Sequence, residues 1–257
     1  MANVEWPAED YAIGSYVQAT LADKLLPNLA IKPTDNVLDI GCGNGNYSRK
    51  ILAKVPQGSV LGIDPSDNML SLAQQVCLDY PNFSVKRANV LSMNYVEQFD
   101  LVVSFWCLQW ATNLKKAFTN IIRALKPGGR IFTLFPAGDD PYINAYYALK
   151  NSDKFPALQG FKPPVDYKEL DNLTEKLSTI TCKKINVALL SESITLPNLD
   201  FFRKFINGIA FYQGQIQESE IKILNAEMVN WYEKECQEKW QGKYQFQVSM
   251  YLVTGEK

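Results

Sequence analysis

Apolar residues in the first half of the chain fall into short blocks, each closed by turn-forming residues. Asn36 to Ile40 (NVLDI) runs straight into a glycine-rich turn, which predicts a buried strand. Ser59 to Asp64 (SVLGID), Phe83 to Arg87, Phe99 to Phe105 (FDLVVSF) and Arg130 to Phe135 (RIFTLF) repeat the pattern. Segments of helical spacing lie around and between them. Val17, Leu21 and Leu25 stand at i, i+4 and i+8 in an amphipathic helix over Val17 to Leu29, before the break at Pro33-Thr34-Asp35. Tyr47 to Val55 reads as a helix, as does Asp67 to Leu78, with Ser66 or Asp67 as its N-cap. Leu114, Phe118, Ile121, Ile122 and Leu125 mark a further helix, which Lys126-Pro127-Gly128-Gly129 stops. Five alternations of strand and helix predict a parallel sheet covered on both faces.

The second half reads differently. Asp139 to Leu177 is rich in Tyr, Pro and Lys, with mixed helix and loop character. Lys183 to Ile194 reads as a strand and Leu199 to Phe211 as an aromatic helix. Ile221, Leu224, Met228 and Trp231 mark another amphipathic helix, and the alternating run Tyr244 to Thr254 predicts a last strand. No internal repeat or low-complexity linker interrupts the chain.

Composition narrows the chemistry. The 257 residues suit one large α/β domain. A formal net charge of -1, with Lys and Arg scattered, gives no electrostatic reason to expect a nucleic-acid partner. The five cysteines (Cys42, Cys77, Cys107, Cys182 and Cys236) form no CxxC pair and read as reduced thiols of a cytoplasmic protein. The chain has no histidine, which removes imidazole-ligated zinc and every His-based triad, and no metal is expected. No signal-peptide h-region and no membrane-spanning run are expected.

Asp39-Ile40-Gly41-Cys42-Gly43-Asn44-Gly45 sits where the first strand hands over to a helix. Alternate glycines let the backbone turn tightly at the carboxyl ends of the strands, the usual ligand crevice of an open α/β sheet. A dinucleotide fingerprint places its third glycine one position later, where this chain has Asn46. Asp39 suits a ligand with a positive ammonium group better than a pyrophosphate. Asp64, closing the second strand, can accept hydrogen bonds from ribose hydroxyls, as in NAD sites.

DIGCGNG followed by GIDPSDNML resembles the class I S-adenosylmethionine-dependent methyltransferases over roughly Asp35 to Phe135, and the KPGG before the fifth strand is also frequent there. The resemblance implies an α/β fold: a doubly wound, mostly parallel, seven-stranded Rossmann-like sheet with a helical cap inserted late in the chain. It implies one methyltransferase domain over 1–257. Its parts would be an N-terminal helical segment (1–34), a cofactor-binding core (35–138), cap segments (139–181 and 195–243) and the last two strands (182–194 and 244–257). The cofactor would be S-adenosylmethionine, with S-adenosylhomocysteine as product. By resemblance Asp39, Gly41, Cys42, Gly43, Asn44, Gly45, Asp64, Pro65, Met69, Asn89, Val90, Ser104 and Phe105 line it. Asp64 binds ribose and Asn89 meets the adenine edge, where the family usually has Asp.

After the fourth strand, Ser104-Phe105-Trp106-Cys107-Leu108-Gln109-Trp110 lacks the Asn/Asp-Pro-Pro-aromatic motif of nucleic-acid amino-methyltransferases. It resembles the juvenile hormone acid methyltransferases and, more loosely, the trans-aconitate methyltransferases. Trp6-Pro7-Ala8-Glu9-Asp10-Tyr11, Gln18 and the cap sequence Asn198-Leu199-Asp200-Phe201-Phe202 fit the same branch. The resemblance implies a small carboxylic acid as acceptor, Gln18 and Trp110 as substrate-orienting residues, and Tyr11, Trp106 and Gln109 beside them. Trp106 and Trp110 read equally well as core aromatics, and Arg203 and Lys204 as a solvated helix face. A carboxylate is already ionised at pH 7 and needs no general base, which suits a chain without histidine. Phe105 and Trp106 are candidates for cation–π attraction to a sulfonium. Alternatives are a phenol, amine or protein side chain as acceptor, a Rossmann dehydrogenase, or a silent cofactor-binding module.

Overall fold

The computed structural model describes residues 5–7, 11 and 14–257. Of the N-terminal pattern, Ala8, Glu9 and Asp10 lie outside the described residues. A seven-stranded sheet runs in the order β3-β2-β1-β4-β5-β7-β6. Its strands are β1 (Asn36–Ile40), β2 (Ser59–Asp64), β3 (Phe83–Arg87), β4 (Phe99–Phe105), β5 (Leu125–Asp139), β6 (Lys184–Thr195) and β7 (Gln245–Glu256). β1 pairs in parallel with β2 and β4, β2 with β3, and β4 with β5. Strand order therefore reverses at β1, the switch point where an open α/β sheet leaves a crevice. Helices α1 (Tyr16–Leu25), α2 (Ser48–Leu52), α3 (Asp67–Asp79), α4 (Leu114–Ala124), α5 (Pro141–Asn151), α6 (Leu173–Ser178), α7 (Leu199–Asn207) and α8 (Glu218–Trp240), with short 3-10 turns, precede and connect the strands.

The chain packs as two compact units. One holds Ala22–Ala137, Val165–Leu190 and Tyr251–Lys257. In it Leu38 and Ile40 of β1, Val102 of β4, and Ile131 and Phe135 of β5 point to one face. They bury Leu114, Phe118 and Ile121 of α4, and Leu173 and Leu177 of α6. The alternate residues Val37, Asp39, Leu101, Val103 and Phe105 must then point to the opposite face. Ser66 caps α3 by accepting the Met69 N–H, and Asn113 caps α4 by accepting that of Lys116.

The other unit holds the described residues up to Leu21, Gly138–Pro164 and Ser191–Met250. Its core is aromatic. Phe202 of α7 stacks on Tyr232 of α8 with centroids 3.8 Å apart, and Tyr146 of α5 meets Phe211 at 5.2 Å and Phe161 at 5.8 Å. A Cβ on Gly14 would fall 2.6 Å from the Lys204 carbonyl oxygen, so only glycine lets the N-terminal segment lie on α7.

Several elements differ from the sequence expectation, among them the helix expected over Leu199 to Phe211, which ends at Asn207 before Gly208. The helix expected over Val17 to Leu29 ends at Leu25 and passes into a 3-10 turn over Leu26–Asn28, where Pro27 tightens the last turn. The helix expected over Tyr47 to Val55 spans only Ser48–Leu52, because the chain must turn before Pro56. β5 begins at Leu125, so Lys126-Pro127-Gly128-Gly129 lies inside the strand instead of capping the helix. A register shift between Phe99 and Leu101 accommodates it, and Gly128 takes φ +74. Lys257 binds there, accepting from the Gly128 N–H and donating to the Gly129 carbonyl.

Candidate cofactor site

The glycine turn follows β1, and its direction is set by two bonds to β2, in which the amides of Gly41 and Cys42 both donate to the Ile63 carbonyl. Gly41 takes φ +73, and a Cβ there would fall 2.4 Å from both Cβ and Sγ of Cys107. The loop thus passes the start of the β4 exit segment with no room for a side chain. Gly43 and Gly45 also have positive φ.

Two carboxylates frame the turn. Asp39 is 3% exposed and accepts the Ser48 Oγ–H at 2.6 Å. Burial pushes its pKa from 3.8 up to about 6, the Ser48 bond pulls it down, and the Asp64 charge adds a smaller upward push. Asp64, 8% exposed, accepts the Gly43 N–H at 3.1 Å through Oδ2 and the Ser66 N–H at 2.9 Å through Oδ1. Burial also pushes up the thiols of Cys42 and Cys107, with the Asp39 and Asp64 charges adding to it.

Asn44 is buried and accepts the Asn46 N–H through Oδ1 at 3.1 Å, while its Nδ2 is buried without a hydrogen-bond partner. Asn89 accepts the Leu91 N–H through Oδ1 at 2.8 Å, so one lone pair of that oxygen is spent on its own loop. α4 fixes the same loop, as Asn120 Nδ2 donates to the Val90 carbonyl at 2.8 Å and Arg123 Nη2 to the Met93 carbonyl at 2.7 Å. Val90 and Met69 are buried, and Pro65 is exposed. The Ser104 hydroxyl is turned into the sheet, donating to the Ile40 carbonyl at 2.9 Å.

Phe105 packs against Tyr47 at 4.7 Å and Phe132 at 6.0 Å between centroids. Sequence reasoning missed Tyr47, whose signal was an aromatic two residues after the last loop glycine. Its hydroxyl donates to Asp23 Oδ1 at 3.3 Å, and Lys50 Nζ donates to the same carboxylate at 2.6 Å. Trp106 sits at φ +58, where a non-glycine residue is strained, and its N–H donates to the Leu134 carbonyl at 2.7 Å. Gln109 donates from Nε2 to the Trp106 carbonyl at 2.9 Å, while its Oε1 is buried without a partner. Trp110 closes the 3-10 turn Leu108–Trp110.

Tyr11 and Gln18 belong to the aromatic unit, and Trp106, Gln109 and Trp110 to the glycine-loop unit. The Tyr11 ring meets Trp6 edge-on at 5.7 Å. Arg203 and Lys204 both pair with Asp200, at 3.0 and 3.2 Å, which accounts for them as a helix-surface ion pair. Among the described residues, no cluster of His, Cys, Asp and Glu could hold a metal ion, and no helix is long and apolar enough to cross a membrane.

Comparison with known proteins agrees with this geometry. Residues 37–129 match the model of a methyltransferase domain family. The chain is 30% identical to malonyl-[acyl-carrier protein] O-methyltransferase 1 of Ilyobacter polytropus over 209 residues, 80% of this chain and 72% of that one. It is 31% identical to juvenile hormone acid O-methyltransferase of Drosophila melanogaster over 146 residues, 52% of this chain and 48% of the relative. The chain therefore spans from about half to about three quarters of the length of these curated relatives. The crystal structure of the YcgJ protein from Bacillus subtilis shares the fold, with a TM-score of 0.59 at 16% identity, covering 94% of this chain and 98% of that one. The sheet, the glycine turn and these likenesses define a class I methyltransferase fold, and the chain belongs to the class I S-adenosylmethionine-dependent methyltransferases.

Proposed function

We propose that the chain transfers a methyl group from S-adenosylmethionine to an oxygen of a small carboxylic acid. The residues of the glycine turn suit that cofactor. Gly41 keeps the turn tight against Cys107, Asp39 is a buried carboxylate able to face an ammonium group, and Asp64 stands at the carboxyl end of β2, where a ribose can meet it. When bound, the cofactor supplies a methyl group on a sulfonium, open to in-line displacement by a nucleophile.

The observation carrying the acid reading is the state of the protonatable groups around the turn. The Cys42 and Cys107 thiols and the Tyr47 phenol are all pushed up by burial, so none yields a base near neutral pH. Asp39 and Asp64 hold the turn and, in this reading, face the cofactor and not the acceptor. A nucleophile that arrives already ionised needs no base, and a carboxylate is ionised at neutral pH. The chain's task is then to position and desolvate the acceptor. In this reading Trp110 orients the acceptor on the glycine-loop unit, with Trp106 and Gln109 near it in the same segment. Two relatives carry acid or malonyl acceptors in their names, which supports the same chemistry.

The test is a transfer assay with a labelled methyl donor across carboxylic acids, phenols and amines, with ester formation read by base-labile label. Esters from one or more acids support the proposal. Efficient transfer to an amine or phenol, with none to any acid, overturns it.

A further inference from the structure

The two edges of the sheet are built differently. β3, at one edge, is five residues long and ends in exposed Lys86 and Arg87, charges of the kind that keep a strand edge from pairing. β6, at the other edge, is twelve residues long and stands beside β7 at the end of the strand order. Its middle run, Ile185 to Ser191 (INVALLS), carries no charge, proline or glycine. Near its start the Lys184 carbonyl lies against β7, where a Cβ on Gly255 would fall 2.7 Å from it. Just past its end the Leu196 N–H donates to the Tyr244 carbonyl at the head of β7. Backbone groups alternate along a strand, so the even-numbered residues turn to β7, and Ile185, Val187, Leu189 and Ser191 turn their N–H and C=O groups to the open edge. Ile185 and Val187 pack, partly buried, against the core that holds Leu173 and Leu177 of α6. Leu189 continues their row and is 61% exposed.

The run is complementary to itself. Laid antiparallel on a second copy about a two-fold axis through Ala188, Lys184 stands opposite Glu192 of the second copy, and Glu192 opposite its Lys184, so the two charges that bound the run meet their opposites. Val187 then faces Leu189 of the second copy, which gives the exposed leucine an apolar neighbour on each strand. The outward N–H and C=O groups of those residues meet in register, and the small Ala188 stands at the axis. We propose that β6 pairs with β6 of a second copy of this chain, forming a two-fold dimer through one continuous sheet.

The test is sedimentation velocity of the whole chain across the micromolar range, for wild type, Leu189→Lys, Lys184→Glu and the double variant Lys184→Glu/Glu192→Lys. Wild type should reach twice the mass of one chain. Leu189→Lys puts a charge on the apolar row of the open edge, and Lys184→Glu sets like charges opposite each other; each should weaken the dimer by about tenfold or more. The double variant should recover most of the loss from Lys184→Glu. Independently, mild oxidation of Ala188→Cys should give a disulfide-linked dimer on a non-reducing gel, because the two copies of residue 188 face each other. Asn186→Cys, on the same face but four residues from its own copy along the pair, should give little more than wild type. A wild-type monomer at every concentration would leave the edge to a strand of another protein and overturns the proposal. A dimer indifferent to Leu189→Lys, a double variant as weak as the single one, or equal cross-linking by the two cysteines overturns it as well.

Discussion

Asp39 holds a charge that the cofactor-free chain does not want. Its pKa lies at about 6 against 3.8 for the free side chain, chiefly because it is buried. Between those values the folded chain binds more protons than the unfolded one, so stability falls as pH rises and levels off above 6. With both pKa values in the linkage relation, the loss between pH 5 and pH 7 is about 1 kcal/mol. The carboxamide introduced by Asp39→Asn cannot ionise, and its oxygen can still accept from Ser48. The fixed cost of burying the new amide does not change with pH, so the informative quantity is a difference of differences. For a chain of this size, 1 kcal/mol shifts Tm by about 2–4 °C. The Tm of Asp39→Asn minus that of wild type should therefore rise by about 2–4 °C from pH 5 to pH 7, in thermal unfolding followed by circular dichroism. Binding a cationic ammonium favours the ionised carboxylate. Wild-type affinity for S-adenosylmethionine should then be about tenfold weaker at pH 5 than at pH 7, while the variant's should change little. Parallel Tm-against-pH curves for the two proteins would refute the reasoning.

Further outcomes are expected. Asp64→Ala removes an acceptor that also holds the Gly43 and Ser66 amides, so cofactor affinity should fall by about a hundredfold or more in calorimetry, the scale of lost bonds to a charged group. Gly41→Ala places a methyl 2.4 Å from Cys107 Sγ at φ +73; it should abolish measurable cofactor binding, and the double variant Gly41→Ala/Cys107→Gly should recover part of it. Arg130→Ala strands Asp35, which is 4% exposed at the side chain and bonded to Arg130 Nη2 at 2.6 Å; urea unfolding should show a loss of about 3–5 kcal/mol.

The first four strands were legible to the residue because each is a short run bounded by turn formers, apolar in β1, β2 and β4 and alternating at Phe83 and Val85 in β3. β5 was not. Lys126-Pro127-Gly128-Gly129 has the composition of a helix stop, and only pairing with β4 and the reciprocal bonds of Lys257 show that the same residues extend a strand. The glycine turn and its two carboxylates could be read from local spacing. The Tyr47–Asp23–Lys50 cluster could not, since Asp23 lies far from the turn in sequence and only the fold brings it there. The pairing of Arg203 and Lys204 with Asp200 was readable from helical spacing alone.

The loop that carries Asn89 and Val90 is tethered in an asymmetric manner: the side chains are all on α4, and the loop offers only main-chain carbonyls. A carbonyl is the same whatever residue bears it. Side chains of the loop outside the buried Val90 and Met93 can therefore change without losing the anchors, and a departure such as Asn for the usual Asp at position 89 leaves the loop in position. The burden of invariance passes instead to Asn120 and Arg123, two residues more than twenty-five positions downstream that need never meet a ligand.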